Sequence, residues 1–373
     1  MNWRKNSHPE NPQNRLMVQQ SNTAGTAAGG IVLFAKRPGS TSFSSLFTIK
    51  HAIGTSKVGH TGTLDSFASG LLVVCTGSLT RLASRITEFN KSYDAVIEFG
   101  RETDTLEWTG NTVRTASFPE KDAVISAVTE FTGTLMQKPP LFSALHVNGE
   151  RASSIARSGR MVDIPSRPVT VFSADIEEYL FAPGGKVQAV RVRFLVSKGT
   201  YVRSLARDIG NACGSAAHLA GLRRLSVGSF RLENAAGTEL LTPFTIEKVY
   251  ESIAALQSEK IAEQEKEKTY IKYAPDETEL LLQAAVRQNL RPMTEPLASE
   301  CGFGIVYLCE ERKRDFLNGK PLKPDMFMGK NAAGNSKRQI AVFTSVKKEF
   351  LGMAALDSGG EYTYLFVVYA GNA

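Results

Sequence analysis

The seven residues Gly59-His60-Thr61-Gly62-Thr63-Leu64-Asp65 carry the densest chemical information in the chain, and the apolar run Ser69-Gly70-Leu71-Leu72-Val73-Val74 follows them closely. A carboxylate is presented after two glycines, just before a segment too apolar to lie at the surface. Gly59 and Gly62 can adopt positive φ and leave room for a ligand backbone to approach. A loop leading into the core in this way is a common seat of chemistry. Asp65 has three uses open to it: metal ligand, general base or nucleophile. A metal site needs further ligands, and this loop offers only His60 and Asp65. The five histidines of the chain form no HxxxH or HExxH pair, which argues against a metal centre. Taken alone, an aspartate beside glycines is most often a turn residue.

A second constellation changes that reading. Ser197-Lys198-Gly199-Thr200-Tyr201-Val202-Arg203 sets a lysine, an aromatic and an arginine at the corner between a strand and a helix. A helix N-terminus beside a lysine suits a phosphate, and a tyrosine there can stack on a base for about 1–3 kcal/mol. Arg207 follows Arg203 by one helical turn, on the same face. Leu222-Arg223-Arg224-Leu225 continues the basic, apolar-interrupted character. Tyr93, two residues after Lys91, either closes a core or faces a ligand. His60 either touches a ligand or is bonded locally, and Asp104 either anchors an arginine or caps a turn. The stretch from Gly54 to Thr61 nearly matches the phosphate-binding GxxxxGK[ST] loop, but His60 stands where the lysine must be. It also follows an amphipathic helix instead of a buried strand, so a nucleotide-triphosphatase reading is set aside.

The elements that must position these groups can be read from periodicity. Ile31–Phe34 predicts the first ordered strand. Phe43, Leu46, Phe47, Lys50 and Ile53 recur at helical spacing and predict an amphipathic helix that stops at Gly54. Leu71–Cys75 reads as a buried run, and Tyr93, Ala95, Ile97 and Phe99 alternate in a strand ending at Gly100. Ser117-Phe118-Pro119-Glu120 has the form of a capping box before a helix with the stripe Val124, Ile125, Val128 and Phe131. Pro139-Pro140 opens an irregular basic segment containing Arg151, Arg157, Arg160 and Arg167. Val190, Val192, Phe194 and Val196 line one face of a further strand, and Tyr201, Leu205 and Ile209 mark the helix after it. Short strands at Gly304–Cys309, Gln339–Thr344, Phe350–Leu356 and Tyr362–Tyr369 predict a small β-rich module.

At 373 residues the chain has length for about two domains. Residues 1–29 read as a disordered polar tail, in preference to an organelle-targeting segment. Residues 30–256 read as the catalytic domain with an insertion at about 131–170, residues 257–279 as a charged helix or linker, and residues 280–373 as the β-rich module. The net charge of +7 favours a polyanionic partner. No apolar run reaches the ~20 residues of a membrane-spanning helix. The four cysteines lack CxxC spacing, so a reducing, cytoplasmic setting is expected.

In this order the segments resemble the bacterial tRNA pseudouridine-55 synthase family, TruB type. The resemblance spans nearly all of residues 31–235. It rests on Gly59–Asp65, Lys91-Ser92-Tyr93, Thr103-Asp104-Thr105, Gln137-Lys138-Pro139-Pro140-Leu141-Phe142-Ser143-Ala144-Leu145, Ala156-Arg157-Ser158-Gly159, Ser197–Arg203 and His218-Leu219-Ala220-Gly221-Leu222-Arg223-Arg224-Leu225. It implies an α+β fold with a mixed, mostly antiparallel sheet, flanking helices, an RNA-gripping insertion and a C-terminal PUA-like RNA-binding module. It implies Asp65 as the catalytic aspartate, Arg203 as its partner, and His60, Tyr93, Tyr201 and Leu222 as residues that hold the target uridine. It further implies isomerisation of a T-loop uridine of tRNA, position 55, by a monomer without guide RNA, metal or organic cofactor. The competing expectation is a tRNA-folding or RNA-binding protein whose pocket is not essential. The chain departs from the family pattern at Lys36-Arg37-Pro38-Gly39, where proline comes one place late, and at Ser66, Phe67, Glu107 and Ser154.

Overall fold

The computed structural model describes residues 29–143, 145–147, 149–158, 160, 163–264, 275–328, 338–357 and 359–368. The tail reading for residues 1–28, and residues 265–274 of the charged segment, lie outside the described residues.

Three strands open the main sheet: β1 (Gly30–Lys36), β2 (Val58–His60) and β3 (Ser69–Thr76). Every residue of β1 and β3 is buried, which is why both read as continuous apolar runs without alternation. Between β1 and β2 lies helix α1 (Ser42–Ile53), capped by Thr41 and Ser44 in a reciprocal box and stopped by Gly54 in the left-handed conformation. The helix is where periodicity placed it, but its buried stripe is different. Ser42, Ser45, Leu46, Thr48, Ile49 and Ala52 face inward, whereas Phe43 and Phe47 face solvent. Small residues and hydroxyls let the helix lie close to the sheet, and the two phenylalanines fall on the opposite side.

After the short helix α2 (Ala83–Thr87), β4 (Lys91–Phe99) leads into the hairpin of β5 (Arg101–Thr103) and β6 (Thr112–Thr115). Helix α3 (Lys121–Glu130) is headed by Glu120, whose side chain makes no capping bond. The expected capping box is therefore not formed. Its inward stripe is Val124, Ala127 and Val128, with Ile125 exposed. Strand β7 (Gly133–Gln137) precedes the insertion, which holds the small hairpin β8 (His146–Val147) and β9 (Glu150–Arg151) and helix α4 (Ala152–Arg157). Long strands β10 (Arg167–Phe181) and β11 (Val187–Val196) follow, then helix α5 (Val202–Ala212), strand β12 (Ala217–Val227) and strand β13 (Phe230–Arg231). Helices α6 (Ile246–Gln264) and α7 (Glu277–Gln288) and strand β14 (Arg291–Pro292) complete the first half.

These strands form one ten-stranded sheet in the order β14-β1-β3-β12-β4-β11-β10-β7, with β2 on β3 and β13 on β12. Pairing is antiparallel except where β12 meets β3, at Arg223 opposite Ser69 and Arg224 opposite Gly70. On the front face Ile97, Phe99, Val192, Phe194 and Leu219 pack against Val124 and Val128 of α3 and Leu205 and Ile209 of α5. On the back, Val96, Ala189 and Ala220 pack under Ile246 and Val249 of α6. Helix α8 (Glu295–Glu300) leads to the C-terminal module, with helix α9 (Lys313–Leu317) and strands β15 (Gly304–Leu308), β16 (Phe327–Met328), β17 (Arg338–Thr344), β18 (Phe350–Leu356) and β19 (Tyr362–Val367). The strands make a separate five-stranded sheet in the order β16-β15-β17-β18-β19. One hydrophobic cluster joins Ile31, Leu33 and Val73 of the main sheet to Leu297, Phe343, Met353 and Phe366 of the C-terminal part. The fold is thus mixed α+β with a mostly antiparallel sheet and a β-rich C-terminal module. Among the described residues no helix is long and apolar enough to cross a membrane.

The β3–β12 junction depends on one glycine. Gly70 has φ +108°, and a Cβ placed on it would lie 2.3 Å from the Arg224 carbonyl oxygen. No side chain fits that approach, and the backbone conformation itself disfavours one. Gly70→Ala is expected to destabilise the protein by about 2 kcal/mol or more, read as a lower urea midpoint. An unchanged midpoint would show that the two strands separate easily.

Candidate active site

Asp65 sits between β2 and β3 at the end of the glycine loop, and neighbouring elements fix both ends of that loop. On one side the Ser42 hydroxyl accepts from the Leu64 N–H at 2.8 Å and donates to the Leu64 carbonyl at 2.9 Å. The Thr61 N–H reaches the Val73 carbonyl, and Thr87 donates to the Thr61 carbonyl at 2.6 Å. On the other side Ala68 N–H bonds back to the Asp65 carbonyl, and Gly39 N–H takes the Ser66 carbonyl. Neither Gly59 nor Gly62 uses the positive φ open to glycine. Gly59 lies in strand β2, and the loop turns without left-handed residues because side chains from outside hold its carbonyls.

The Asp65 carboxylate meets Arg203 on the second residue of α5. Arg203 Nη2 donates to Oδ1 at 3.1 Å, and Nε lies 3.0 Å from Oδ2 with its N–H off-axis, an ion-pair contact without a second hydrogen bond. Arg203 is only 5% exposed, whereas 32% of the Asp65 side chain is open to solvent. The same guanidinium donates to the Thr105 carbonyl at 2.9 Å and to the Phe142 carbonyl at 2.9 Å. One arginine therefore fixes the aspartate to the β5–β6 hairpin loop and to the start of the insertion. Asp104 does not take part. It accepts from the Asn111 backbone N–H and side-chain amide, closing its own turn.

Three residues given no role in the sequence reading complete the setting. Arg224, 2% exposed, donates to the carbonyls of Gly62 at 3.1 Å and Leu71 at 2.7 Å from beneath the loop. Lys36, wholly buried at the end of β1, places its ammonium on the carbonyls of Ala68 at 2.6 Å, Arg37 at 3.0 Å and Ser66 at 3.3 Å. Burial pushes the Lys36 ammonium down to about 7, with Asp65 pulling the other way and Arg224 adding to the depression. Gln137, 2% exposed, pairs with both backbone groups of Tyr201, accepting at 2.8 Å and donating at 3.1 Å. Only a charged residue inside an otherwise apolar strand signals Lys36 in the sequence, and Gln137 shows no signal beyond its motif.

The other expected residues lie on β2, β4 and β12 and at the start of α5. Tyr201 is the N-cap of α5, two residues from Arg203, and the Arg167 guanidinium lies over its ring at 5.1 Å. Tyr93 pairs across the sheet with Arg224 and packs on the front cluster, which also contains Leu64, Phe67 and Leu222. Leu222 is 6% exposed. His60 lies on β2, and burial followed by Arg224 lowers its pKa, favouring the neutral ring. Among the described residues its Nδ1 is enclosed without a hydrogen-bond partner. Lys198, expected to await a phosphate, is paired with Glu88. The centre thus sets a partly open carboxylate against a buried guanidinium, which fixes the acid in place.

Comparison with known proteins places the chain in a family. Residues 50–202 match the TruB family pseudouridylate synthase (N terminal domain). A Treponema denticola protein named tRNA pseudouridine synthase B is 38% identical over 314 residues, 80% of this chain and 85% of the relative. A Bordetella parapertussis protein of the same name is 40% identical over 221 residues, 58% of this chain and 88% of the relative. The chain belongs to the TruB family and is an isomerase of the pseudouridine synthase class. Its fold also matches a crystal structure of a Cbf5-Nop10-Gar1 complex, with TM-score 0.58, 22% identity and coverage of 92% of this chain and 85% of that one.

Lys36 provides a test of the loop's support. Below pH of about 7 it is charged in both folded and unfolded chains, and the folded state bears the burial cost. Between about 7 and its ordinary value of 10.5 the unfolded chain holds the extra proton, so this group adds stability as pH rises. Against Lys36→Met, wild type should gain by up to about 1.4 kcal/mol per pH unit across that window, measured by urea unfolding. A pH-independent difference would contradict a depressed Lys36.

Proposed function

We propose that the protein converts the T-loop uridine of tRNA, position 55, to pseudouridine, with Asp65 as the catalytic residue and without a guide RNA. The reaction breaks the bond from C1′ to N1 and remakes it from C1′ to C5, so no atom is gained or lost and no electron acceptor is needed. Its target atoms are inaccessible in a stacked base, so the nucleotide must be extruded, at a cost of a few kcal/mol. Tyr93 and Tyr201 supply stacking faces, Leu222 with Leu64 and Phe67 an apolar wall, and His60 a neutral ring at the loop's start. Arg203 binds the target only through Asp65, which it orients.

The observation that carries this reading is the division of exposure in the Asp65–Arg203 pair. The guanidinium is enclosed and triply bonded, while the carboxylate is left one-third open. A purely structural ion pair would gain nothing from opening the acid alone. Support for RNA as substrate comes from the net charge of +7 and from the name shared by the relatives.

The test is incubation with an unmodified tRNA transcript and no other RNA, followed by base-resolved chemical mapping of pseudouridine. Wild type is expected to yield product at the T-loop uridine. Asp65→Asn keeps the shape and the acceptor for Arg203, so it should bind the transcript within about threefold of wild type, because phosphate contacts dominate affinity, yet give no product. Product at wild-type level from Asp65→Asn would remove Asp65 as the catalytic residue, and absence of product from wild type would leave RNA binding or tRNA folding as the function.

A further inference from the structure

The solvent face of α1 has a composition that neither the core nor the Asp65 site uses. Phe43 is 74% exposed and Phe47 45%. With Lys50 and His51 they occupy the positions of one helical face. The Lys50 ammonium lies 5.5 Å from the Phe43 ring centre, and the rings of Phe47 and His51 are 4.3 Å apart at 56°. Scattered exposed apolar residues are ordinary, but two aromatics interleaved with two basic side chains make a surface on which bases stack and phosphates are neutralised.

The charge distribution fits one class of occupant. Helix α1 carries no carboxylate, and from Asn11 to Thr87 the one acidic side chain is Asp65 itself. On α7, which packs along α1, Glu279 accepts from Thr48 and Gln283 and Asp276 caps its own helix, while Glu277 is an exposed acid in the first turn. The face also adjoins the Asp65 loop. Ser42, beside Phe43, holds both backbone groups of Leu64. Phe43 is thus the residue next to the side chain that holds the loop carrying Asp65.

We infer that this face of α1, built from Phe43, Phe47, Lys50 and His51, docks unpaired nucleotides of the RNA substrate next to the one placed at Asp65. The inference rests on the function proposed above. The rings stack on bases and Lys50 meets a phosphate, so the surface adds affinity without touching the reacting atoms.

The experiment compares Phe43→Leu/Phe47→Leu and Phe43→Trp/Phe47→Trp in the full chain, each also combined with Asp65→Asn for equilibrium binding to unmodified tRNA. Leucine keeps the apolar area and removes the π-face. The leucine pair is expected to bind roughly tenfold more weakly or worse, since each stacked base contributes about 1–3 kcal/mol. Its salt dependence should be unchanged, because no phosphate contact is lost, and with Asp65 present KM should rise at constant kcat. The tryptophan pair should bind at least as tightly as the parent. Thermal midpoints should match, since both rings are exposed. Leucine variants with parental affinity, or a loss that tryptophan does not restore, would overturn the inference. So would a change in sedimenting mass for the leucine pair without RNA, which would make the face a contact between copies. If wild type forms no pseudouridine on the transcript, the proposed function fails first and independently.

Discussion

Arg203 donates to acceptors on three segments that are distant in sequence: the Asp65 carboxylate, the Thr105 carbonyl and the Phe142 carbonyl. The glycine loop, the β5–β6 hairpin and the insertion therefore share one anchor at the mouth of the site. The planar fork of a guanidinium can satisfy such divergent acceptors at once, and an ammonium cannot do so with fixed geometry. Removing the carboxylate would leave a nearly buried cation, and a stranded buried charge is costly. The charge that orients the aspartate thus also holds the cleft together.

Beneath the loop a second set of cations does a different job. Arg224 and Lys36 satisfy backbone carbonyls that the tight path of residues 62–71 leaves without secondary-structure partners. Their burial carries an electrostatic cost, visible in the depression of Lys36 and His60, and in Lys91, which burial and then Arg224 lower to about 8. The cost is offset by the carbonyls these groups satisfy, so the loop carrying Asp65 keeps one path.

Much of this was legible in the sequence. Long apolar or alternating stretches, such as Leu71–Cys75 and Val190–Val196, report burial directly, and those strands lie where expected. Two corrections came where local pattern and tertiary packing disagree. Phe43 and Phe47 fit a helical stripe, but packing close to the sheet needs the small Ser45 and Ala52. Ser117 fits a capping box, yet its carbonyl is bound by Ser215 and the helix starts at Glu120 without a side-chain cap. The path of the glycine loop was not legible because the partners that hold it, Ser42, Arg224 and Lys36, are remote in sequence. Asp65, Tyr201 and Arg203 were recognisable from their motifs, whereas the polar groups that hold them, Gln137 among them, become visible only once strands are paired.

The C-terminal module is not an independent appendage. Its strands share a core cluster with β1 and β3, the strands on either side of the Asp65 loop in the sequence. Strand β14 also pairs with β1 at Gly30 and Ile31, and α7 packs along α1 through Glu279 and Thr48. A side chain such as Phe343 or Met353 cannot shift without disturbing neighbours of Ile31 and Leu33, because close-packed interiors transmit displacement. The position of the module is therefore coupled to the strand that ends at Lys36, whose ammonium grips the residues following Asp65. Shared packing, with no flexible joint between them, sets the distance from the C-terminal sheet to the Asp65 loop.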